Sequence, residues 1–199
     1  MKLINLYLKY ILDYCLVIIL LPFLFVPIIL ISILILFIDG HPIFFIQKRT
    51  GKNRKLINII KFRTLTQYKN KKIVSSLGKF LRLTRLDELP QIFNMLRGNL
   101  SFVGPRPLYT KYTKLYNQRQ LKRLKVKPGI TGWAQVNGDN NISWKKKFDL
   151  DIWYVNNFNI ILDLKIIYLT MIFFVNALIH YKKNKRSKVI IDKEFNGKN

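Results

Sequence analysis

The chain opens with a long apolar stretch, and shorter alternating segments follow it. Residues 15–38 are apolar without interruption except for Ser32 and two prolines, Pro22 and Pro27. A run of about 24 residues is long enough for a helix to cross a hydrocarbon core of roughly 30 Å. No small-residue cleavage site follows the run, which favours a permanent membrane anchor over a signal peptide.

The anchor has two geometries compatible with its sequence. A straight helix would place the basic body in the cytoplasm and the first residues outside. Prolines inside a helix remove a backbone hydrogen bond and kink it, so a helix bent at Pro22 or Pro27 could return to the face from which it entered. Lys2 and Lys9 favour a cytoplasmic N-terminus. The residues alone leave both geometries open and favour the straight span.

Short elements are predicted after the anchor. The segments PIFFIQ and KLINIIKF are β-prone and flank the turn-like RTGKN, which predicts a hairpin within Pro42–Lys61. Residues 66–76 are polar and lysine-rich, which indicates a surface loop. Apolar spacing predicts a helix over residues 75–96, with Pro90 near a helix start, Asp87 as N-cap and Glu88 in the first turn.

The second half of the chain reads as loops and helices. We expect a short strand within residues 98–107, a basic amphipathic helix over 109–126, and a glycine-punctuated loop over 127–138. Residues 143–181 read as helix, with the apolar part 166–179 in the membrane interface; a basic cluster and frayed, polar final residues follow. The fold class expected is α+β, mostly helical with a small β-hairpin.

Composition limits the classes of function. The net charge of +25 and the pI of about 10.3 predict anionic partners, namely nucleic acid, acidic lipid or phosphorylated substrates. Half of the residues are hydrophobic, which argues against disorder. The single Cys15 excludes an intrachain disulfide and a cysteine-rich zinc site. His41 and His180 are expected to be structural or interfacial.

One acidic pair stands out from this basic background. Asp87 and Glu88 are the only acidic residues between Asp39 and Asp139, a stretch that contains 22 lysines and arginines. Surrounding cations keep carboxylates ionised, depress their pKa and attract anions. A helix-start pair that favours the helix dipole is the structural alternative. The isolation of the pair favours a site that combines a carboxylate nucleophile, a metal-binding carboxylate and a phosphate.

Two other motifs point to ligand contacts. Arg106 is fixed between two prolines in GPRP, and a guanidinium suits bidentate phosphate binding. The segment KPGITGWAQVNG carries Gln135 and Asn137 among glycines that let backbone approach a ligand. A tight structural turn is the alternative for the first motif. The aromatic residues of the last helix are expected in the core or at the membrane interface, not as a nucleic-acid platform.

Together the motifs resemble the bacterial sugar transferase family, the small monotopic phosphoglycosyl transferases. The similar segments are QKRTG, IIKFRT, RLDELPQIFNMLRGNLSFVGPRP, KPGITGWAQVNG, SWKKKFDLDIWYV and LDLKIIYLT, in that order and nearly end to end. The compact size and the closing FNGKN look most like PglC-type members, which use a UDP-diacetylated bacillosamine donor.

The resemblance implies a reaction and its residues. A UDP-sugar, such as UDP-N,N'-diacetylbacillosamine or another UDP-HexNAc, would give its sugar 1-phosphate to polyprenol (undecaprenyl) phosphate and release UMP. Asp87 would be the nucleophile that forms a covalent phosphosugar intermediate, and Glu88, with Asp87, would bind Mg²⁺. The substrate contacts implied by the motifs are Arg63, Arg82, Arg106, Gln135 and Asn137.

The resemblance also implies a re-entrant anchor over residues 1–40 and a catalytic domain over 41–199 with interfacial helices. The domain would lie on the cytoplasmic face of the bacterial inner membrane, without a nucleic-acid partner. Val26-Pro27 stands where the family usually has Ser-Pro, and Asp139 where it usually has Arg. The second departure puts the usual donor geometry in doubt. The rival hypothesis is a non-enzymatic, membrane-anchored basic module that binds nucleic acid or anionic lipid.

Overall fold

The computed structural model describes residues 2–68, 71–138, 141–183 and 194–197. It is a mostly helical α+β fold with small sheets, as expected. The helices are α1 Lys2–Asp39, α2 Ser76–Leu83, α3 Ile92–Leu96, α4 Thr110–Thr113, α5 Trp133–Val136, α6 Trp144–Asn157 and α7 Ile160–Lys183. The strands are β1 Phe44–Thr50, β2 Leu56–Phe62, β3 Leu65–Tyr68, β4 Lys71–Val74, β5 Ser101–Val103 and β6 Gly129–Thr131.

The predicted hairpin is confirmed and a second one follows it. Strands β1 and β2 pair antiparallel, with Phe44 opposite Phe62 and Thr50 opposite Leu56. Strands β3 and β4 also pair antiparallel, so the loop predicted over residues 66–76 is wrong. Lysines are tolerated on exposed edge strands, where they discourage pairing with other chains. The polar, lysine-rich composition of this segment therefore did not distinguish a strand from a loop.

The segment expected as a helix from 75 to 96 is broken in the middle. Ser75 caps α2 by accepting a hydrogen bond from the backbone N–H of Gly78. Arg85 then adopts a left-handed conformation with φ of 56°, and a 3-10 helix, Leu86–Gln91, precedes α3. Asp87 lies inside this 3-10 helix, so its prediction as an N-cap is wrong. Pro90 has no N–H to donate, and in an α-helix its ring would clash with the carbonyl of Leu86, so continuous α-helix through this turn is disfavoured.

The basic helix predicted over residues 109–126 is also wrong. The segment contains only the single turn α4 and a 3-10 helix, Gln120–Lys125. Asn117 explains the interruption, because its side-chain oxygen accepts a hydrogen bond from the backbone N–H of Gln120. Asparagine side chains that bond locally to backbone compete with continuous helix.

The last part of the chain differs from expectation in two places. The helix predicted over 143–181 is divided into α6 and α7 around Asn159, whose side chain accepts from the N–H of Leu162. The glycine-rich segment contains β6, which pairs in parallel with β5, and the short α5. Among the closing residues, Phe195 is only 3% exposed and packs against aromatic side chains, so the expected fraying is wrong for 194–197. The basic cluster 182–188 lies mostly outside the described residues.

Helix α1 is long, apolar and packed along the domain. In the described part of the chain it is the one helix long and apolar enough to cross a membrane, and an 18-residue window within Ile4–Asp39 has a mean hydropathy of 3.1. One face is buried, including Val17, Ile28 and Ile35, in the same core as Ile57 of β2. The opposite face exposes large apolar side chains, with Phe37 83% exposed. This exposed face supports membrane association.

Candidate active site

The two acidic residues lie in a buried turn held against the first hairpin. Asp87 and Glu88 belong to the 3-10 helix that packs on β2, and both are buried. Asn94 in α3 ties this segment to the strand: its oxygen accepts from the N–H of Ile60 and its nitrogen donates to the carbonyl of Asn58. Because Asn94 is fully buried, both bonds are shielded from water, and the pair is fixed relative to β2.

Glu88 is an ionised carboxylate between two cations. Lys61 Nζ lies 2.5 Å from Glu88 Oε1, and Arg106 Nη2 lies 2.9 Å from the same oxygen. Burial acts to raise the pKa of Glu88, but the charges of Arg106, Lys61 and Arg85 outweigh it and hold the pKa well below its usual value. Glu88 is therefore charged throughout the physiological pH range.

Asp87 responds differently to the same surroundings. Burial, followed by the charge of Glu88, raises its pKa, and the opposing effects of Lys61, Arg85 and Arg106 do not reverse the shift. The expectation that cations depress both pKa values therefore holds for Glu88 and is wrong for Asp87. Adjacent carboxylates with different environments can take different roles. Asp87 has the higher proton affinity, which suits a nucleophile, and Glu88 is the fixed negative charge.

Arg106 is held by a loop of closely packed backbone. A side chain added at Gly104 would put its Cβ 2.8 Å from the N of Gly129, and one added at Gly132 would lie 2.2 Å from the carbonyl oxygen of Gly104. The glycines of the two motifs thus let one backbone segment pass against the other. Close backbone packing is therefore a structural reason for these glycines, as an alternative to ligand binding. The packed loop holds Arg106, whose side chain contacts Glu88.

Two cations of the site were not predicted as site residues. Lys61 lies on β2 and contacts Glu88. Arg85 lies at the break between α2 and the 3-10 helix, and its positive charge acts to lower the pKa of both carboxylates. The signal for Lys61 was its position two residues before Arg63 in IIKFRT, since alternate strand residues share a face. The signal for Arg85 was its position two residues before Asp87, although the left-handed conformation that it adopts there was not predicted.

An apolar cavity of about 260 Å³ opens beside Glu88. Glu88, Arg85 and Arg106 form its charged end. The rest is mainly apolar and comes from α1, α2, the 3-10 helix of the carboxylates, α3, β5, β6, α5 and α7. These residues are Leu24, Leu83, Leu89, Ile92, Phe102, Ile130, Val136, Phe173 and Phe174, with Thr131, Gln135 and Thr170. A cavity that is charged at one end and apolar along its length suits an amphiphilic ligand.

The predicted substrate contacts fall into different places. Arg106 and Gln135 line the cavity. Arg63 donates to the backbone carbonyls of Asp39, Gly40 and Pro42 at the end of α1. Arg82 donates to the hydroxyl of Thr64, and Asn137 donates to the carbonyl of Trp133. The structure therefore brings Arg106 and Gln135 to the cavity that Glu88 lines, and it gives Arg63, Arg82 and Asn137 other partners. The substrate roles of all five residues stay predictions.

Gln135 has an unusual hydrogen-bonding state. Its Nε2 donates to the carbonyl oxygen of Ile130 at 2.9 Å, which fixes the orientation of the amide. Its Oε1 is buried and is the one side-chain atom in the described residues that is both buried and without a hydrogen-bond partner. A buried acceptor without a donor costs about 1–3 kcal/mol, so this atom is suited to accept a bond from a ligand.

Comparison with known proteins identifies the family of the chain. The sequence pattern of the bacterial sugar transferase family matches residues 4–177. The chain belongs to the bacterial sugar transferase family. The match includes the helix α1, the carboxylate pair, the loop of Arg106 and most of α7.

Several curated members of this family are similar in sequence. An uncharacterised sugar transferase, EpsL of Bacillus subtilis, is 49% identical over 140 residues, which are 66% of this chain and 69% of the relative. The UDP-glucose:undecaprenyl-phosphate glucose-1-phosphate transferase of Escherichia coli is 39% identical over 148 residues, and the undecaprenyl-phosphate galactose phosphotransferase of Salmonella typhimurium is 32% identical over 157. These alignments cover 65% and 66% of this chain, but only 32% and 33% of the two transferases.

The carboxylate pair also bears on the expected magnesium ion. In the described part of the chain, no group of three or more histidine, cysteine, aspartate or glutamate side chains is arranged to hold a metal. Mg²⁺ is usually held by one or two carboxylates together with substrate phosphates and water. Asp87 and Glu88 fit that donor set. Asp139, where this sequence departs from the family, lies outside the described residues.

Proposed function

We propose that this chain transfers a sugar 1-phosphate from a UDP-sugar to polyprenol phosphate and releases UMP. The observation that carries the proposal is the position of Glu88, with the buried Asp87 next to it in the same 3-10 helix, at the charged end of an apolar cavity. Such a site can join the phosphate chemistry of a water-soluble donor to an acceptor with a hydrocarbon chain. The names of the Escherichia coli and Salmonella relatives support this reaction class.

The cavity supplies the place for the acceptor. Its walls come in part from Leu24 of α1 and Phe173 and Phe174 of α7, the two long apolar helices. An isoprenoid chain that enters between these helices would leave its phosphate near Arg85 and Arg106. Burial of the chain would be favourable by about 25 cal/mol per Å² of apolar surface, and the arginines would bind the phosphate.

In the proposed mechanism, Asp87 is the nucleophile. One of its carboxylate oxygens attacks the sugar-proximal phosphorus of the donor, and the bond from that phosphorus to the oxygen of UMP breaks. UMP leaves with the electron pair. An oxygen of polyprenol phosphate then attacks the same phosphorus and releases the carboxylate of Asp87, which divides one displacement into two easier ones.

The cations and Glu88 support these steps without bond formation. Arg106 and Lys61 contact Glu88 and can bind the phosphate oxygens as negative charge shifts to UMP. Asp87 and Glu88 would hold Mg²⁺, which when bound would neutralise charge on the diphosphate. The donor sugar is a UDP-HexNAc in this proposal, with the diacetylated bacillosamine derivative as the first candidate.

A monotopic arrangement is also part of the proposal. Near its start, α1 contacts the domain through Lys9, whose Nζ lies 2.6 Å from the carboxylate of Asp163. At its end, Asp39 accepts a hydrogen bond from Ser75. A straight helix would separate Lys9 and Asp39 by about 45 Å at 1.5 Å per residue. A bilayer-crossing helix would put these ends on opposite faces of the membrane, whereas both contact one domain.

We therefore propose that both ends of α1 lie on the cytoplasmic face of the inner membrane, with the exposed apolar face in the lipid. Kinks at Pro22 and Pro27 would let the middle of the helix dip into the hydrocarbon. The buried polar contacts near Lys9 support this arrangement, because they keep the first turns of the helix on the domain.

The test of the reaction uses full-length protein in nanodiscs with polyprenol phosphate and a series of radiolabelled UDP-sugars. The wild type should release UMP and place the label on the lipid. A brief reaction without acceptor should place the label on Asp87. The Asp87→Asn variant should fold and bind membranes normally but lose at least about 10³-fold in rate.

Near-normal transfer by Asp87→Asn would remove the nucleophile assignment. Absence of transfer from every UDP-sugar by the wild type would remove the proposed function and favour the basic-module alternative.

A further inference from the structure

A third arginine, Arg49, lies near enough to Glu88 and Arg106 for their charges to act on it, but it is not among the described lining residues of the apolar cavity. Arg49 is near the end of β1, in the QKRTG segment, and Tyr109 follows the GPRP segment. The two residues form an isolated antiparallel β-bridge, and the N–H of Thr50 donates to the carbonyl of Leu108 at 3.1 Å. The backbone of the first hairpin is thus joined to the loop that carries Arg106.

The guanidinium of Arg49 is held in a fixed orientation. Its Cζ lies 3.5 Å from the centre of the Tyr109 ring, and its Nη2 donates to Gln47 Oε1 at 2.5 Å. Stacking occupies a face of the guanidinium, whereas its N–H donors point outward in its plane. Arg49 is half-buried, and Tyr109 is 41% exposed. The pair therefore presents donors at the border between protein and water.

The surroundings of Arg49 favour an anion. Burial lowers the pKa of its guanidinium, and the nearby charge of Arg106 acts in the same direction. Glu88 is the carboxylate whose charge opposes this shift, yet it is in direct contact with Lys61 and Arg106. Within the described residues, no carboxylate forms a salt bridge with Arg49. A phosphate at this position would offset the repulsion between the two arginines.

The position of Arg49 distinguishes it from the other cations of the site. Arg85 and Arg106 line the apolar cavity, whereas neither Arg49 nor Tyr109 is among its described lining residues. A hydrophobic acceptor in the cavity would thus approach Glu88 from one direction. The Arg49–Tyr109 pair is left for the water-soluble substrate, whose diphosphate must reach the same carboxylates.

We propose that Arg49, stacked on Tyr109, binds the nucleotide-proximal phosphate of the UDP-sugar and stabilises UMP as it leaves. This inference rests on the proposed function. When Asp87 forms its bond to the sugar-proximal phosphorus, the bond from that phosphorus to the bridging oxygen breaks. The electron pair stays on the phosphate of UMP, which is where the donors of Arg49 would bind.

The test measures UMP binding and steady-state kinetics separately, on full-length protein in nanodiscs. UMP is titrated calorimetrically into the wild type and the variants Arg49→Gln, Arg49→Lys, Tyr109→Leu and Tyr109→Phe. Arg97→Gln, which removes an exposed arginine of the segment after α3, is the matched control. Thermal unfolding of each variant reports on folding.

Loss of the charge-assisted bonds in Arg49→Gln should weaken UMP binding about tenfold or more. Arg49→Lys should weaken it less, because the charge remains but the planar fork is lost. Tyr109→Phe keeps the ring but loses the hydroxyl that accepts a hydrogen bond from Arg49, so it should weaken UMP binding less than Tyr109→Leu, which should resemble Arg49→Lys. In transfer assays, Arg49→Gln should raise the KM for the UDP-sugar and leave the KM for polyprenol phosphate unchanged.

Unchanged UMP affinity in a folded Arg49→Gln protein would overturn the inference, as would no UMP binding by the wild type. An equal rise in both KM values would also overturn it, since it would indicate a general structural role. The titration does not depend on turnover, so a failure of the proposed reaction is recognised separately by the absence of UMP release from any UDP-sugar.

Discussion

Arg123 donates a hydrogen bond from Nη2 to the backbone carbonyl oxygen of Arg106 at 2.7 Å. The same guanidinium is paired with Asp151 of α6, again at 2.7 Å, and both side chains are buried. A buried ion pair thus fixes the backbone of the residue whose side chain contacts Glu88. Neither Arg123 nor Asp151 contacts the cavity, so they position Arg106 and are not themselves catalytic groups.

The first prediction concerns this buried pair. Asp151→Asn leaves the charge of Arg123 without its counter-charge, and removal of one partner from a buried pair costs roughly 3–5 kcal/mol. The free energy of unfolding, measured by denaturation in detergent, should fall by this amount. Asp149→Asn is the matched control, because Asp149 pairs with the exposed Arg119 and should contribute only about 0–1 kcal/mol. Equal effects of the two substitutions on the free energy of unfolding would show that the buried pair stabilises the fold no more than an exposed one.

The second prediction concerns the contact between Glu88 and Arg106. Glu88→Gln keeps the shape of the side chain but removes the charge that orients Lys61 and Arg106, so kcat should fall about tenfold or more. Arg106→Gln should have a similar effect. The double variant should lose less than the product of the two single losses, since both remove the same interaction. Fully multiplicative losses in kcat would show that the two residues act independently.

The third prediction concerns the buried oxygen of Gln135. Gln135→Met loses the bond to Ile130 but also removes the unsatisfied acceptor, so the free energy of unfolding without substrate should change by less than about 1 kcal/mol. The KM for one of the two substrates should rise, because we expect Gln135 Oε1 to accept a hydrogen bond from that substrate when it occupies the cavity. A large loss of stability with unchanged KM values would assign Gln135 to the fold alone.

The fourth prediction concerns the side of the membrane on which α1 begins. In a Cys15→Ser background, Lys2→Cys and Lys52→Cys should both be labelled from the cytoplasmic face by a membrane-impermeant reagent. The contacts of Lys9 and Asp39 with one domain are the physical reason. If Lys2→Cys were labelled only from the periplasmic face, the straight span would be correct.

The fifth prediction concerns metal removal. Chelation with EDTA should abolish transfer, and added Mg²⁺ should restore it, because the two carboxylates alone do not neutralise a diphosphate. Unfolding in detergent should be nearly unaffected by EDTA, since Glu88 is already paired with Lys61 and Arg106. Full transfer in EDTA would show that the cations of the site replace the metal.

The sequence predicted those features that depend on composition and local pattern. The first hairpin, the apolar anchor and the exceptional position of Asp87 and Glu88 were accessible because alternation, run length and charge isolation are visible along the chain. The second hairpin was missed because lysine-rich edge strands resemble loops. The interruption near Asn117 was missed because a single side-chain hydrogen bond decides it.

The site was predictable only in part for a related reason. Arg106 was found because two prolines mark it, but Lys61, Arg85 and Arg49 enter the site through tertiary structure. Arg85 depends on a left-handed backbone conformation, and Arg49 on a β-bridge to a residue 60 positions later. The opposite pKa shifts of Asp87 and Glu88 depend on which carboxylate the cations contact, since Lys61 and Arg106 bond to Glu88 and the charge of Glu88 then acts on Asp87; a count of neighbouring cations does not reveal this.

The packing of α1 has a consequence for how this protein can be handled. Ile28, Ile31 and Ile35 share one core with Ile57 and Phe62 of the hairpin, and Leu24 lines the cavity beside the carboxylates. Removal of the first 40 residues would therefore open the hydrophobic core as well as detach the chain from lipid. A soluble catalytic fragment cannot be obtained by truncation alone, because the segment that attaches the enzyme to its membrane also completes its interior.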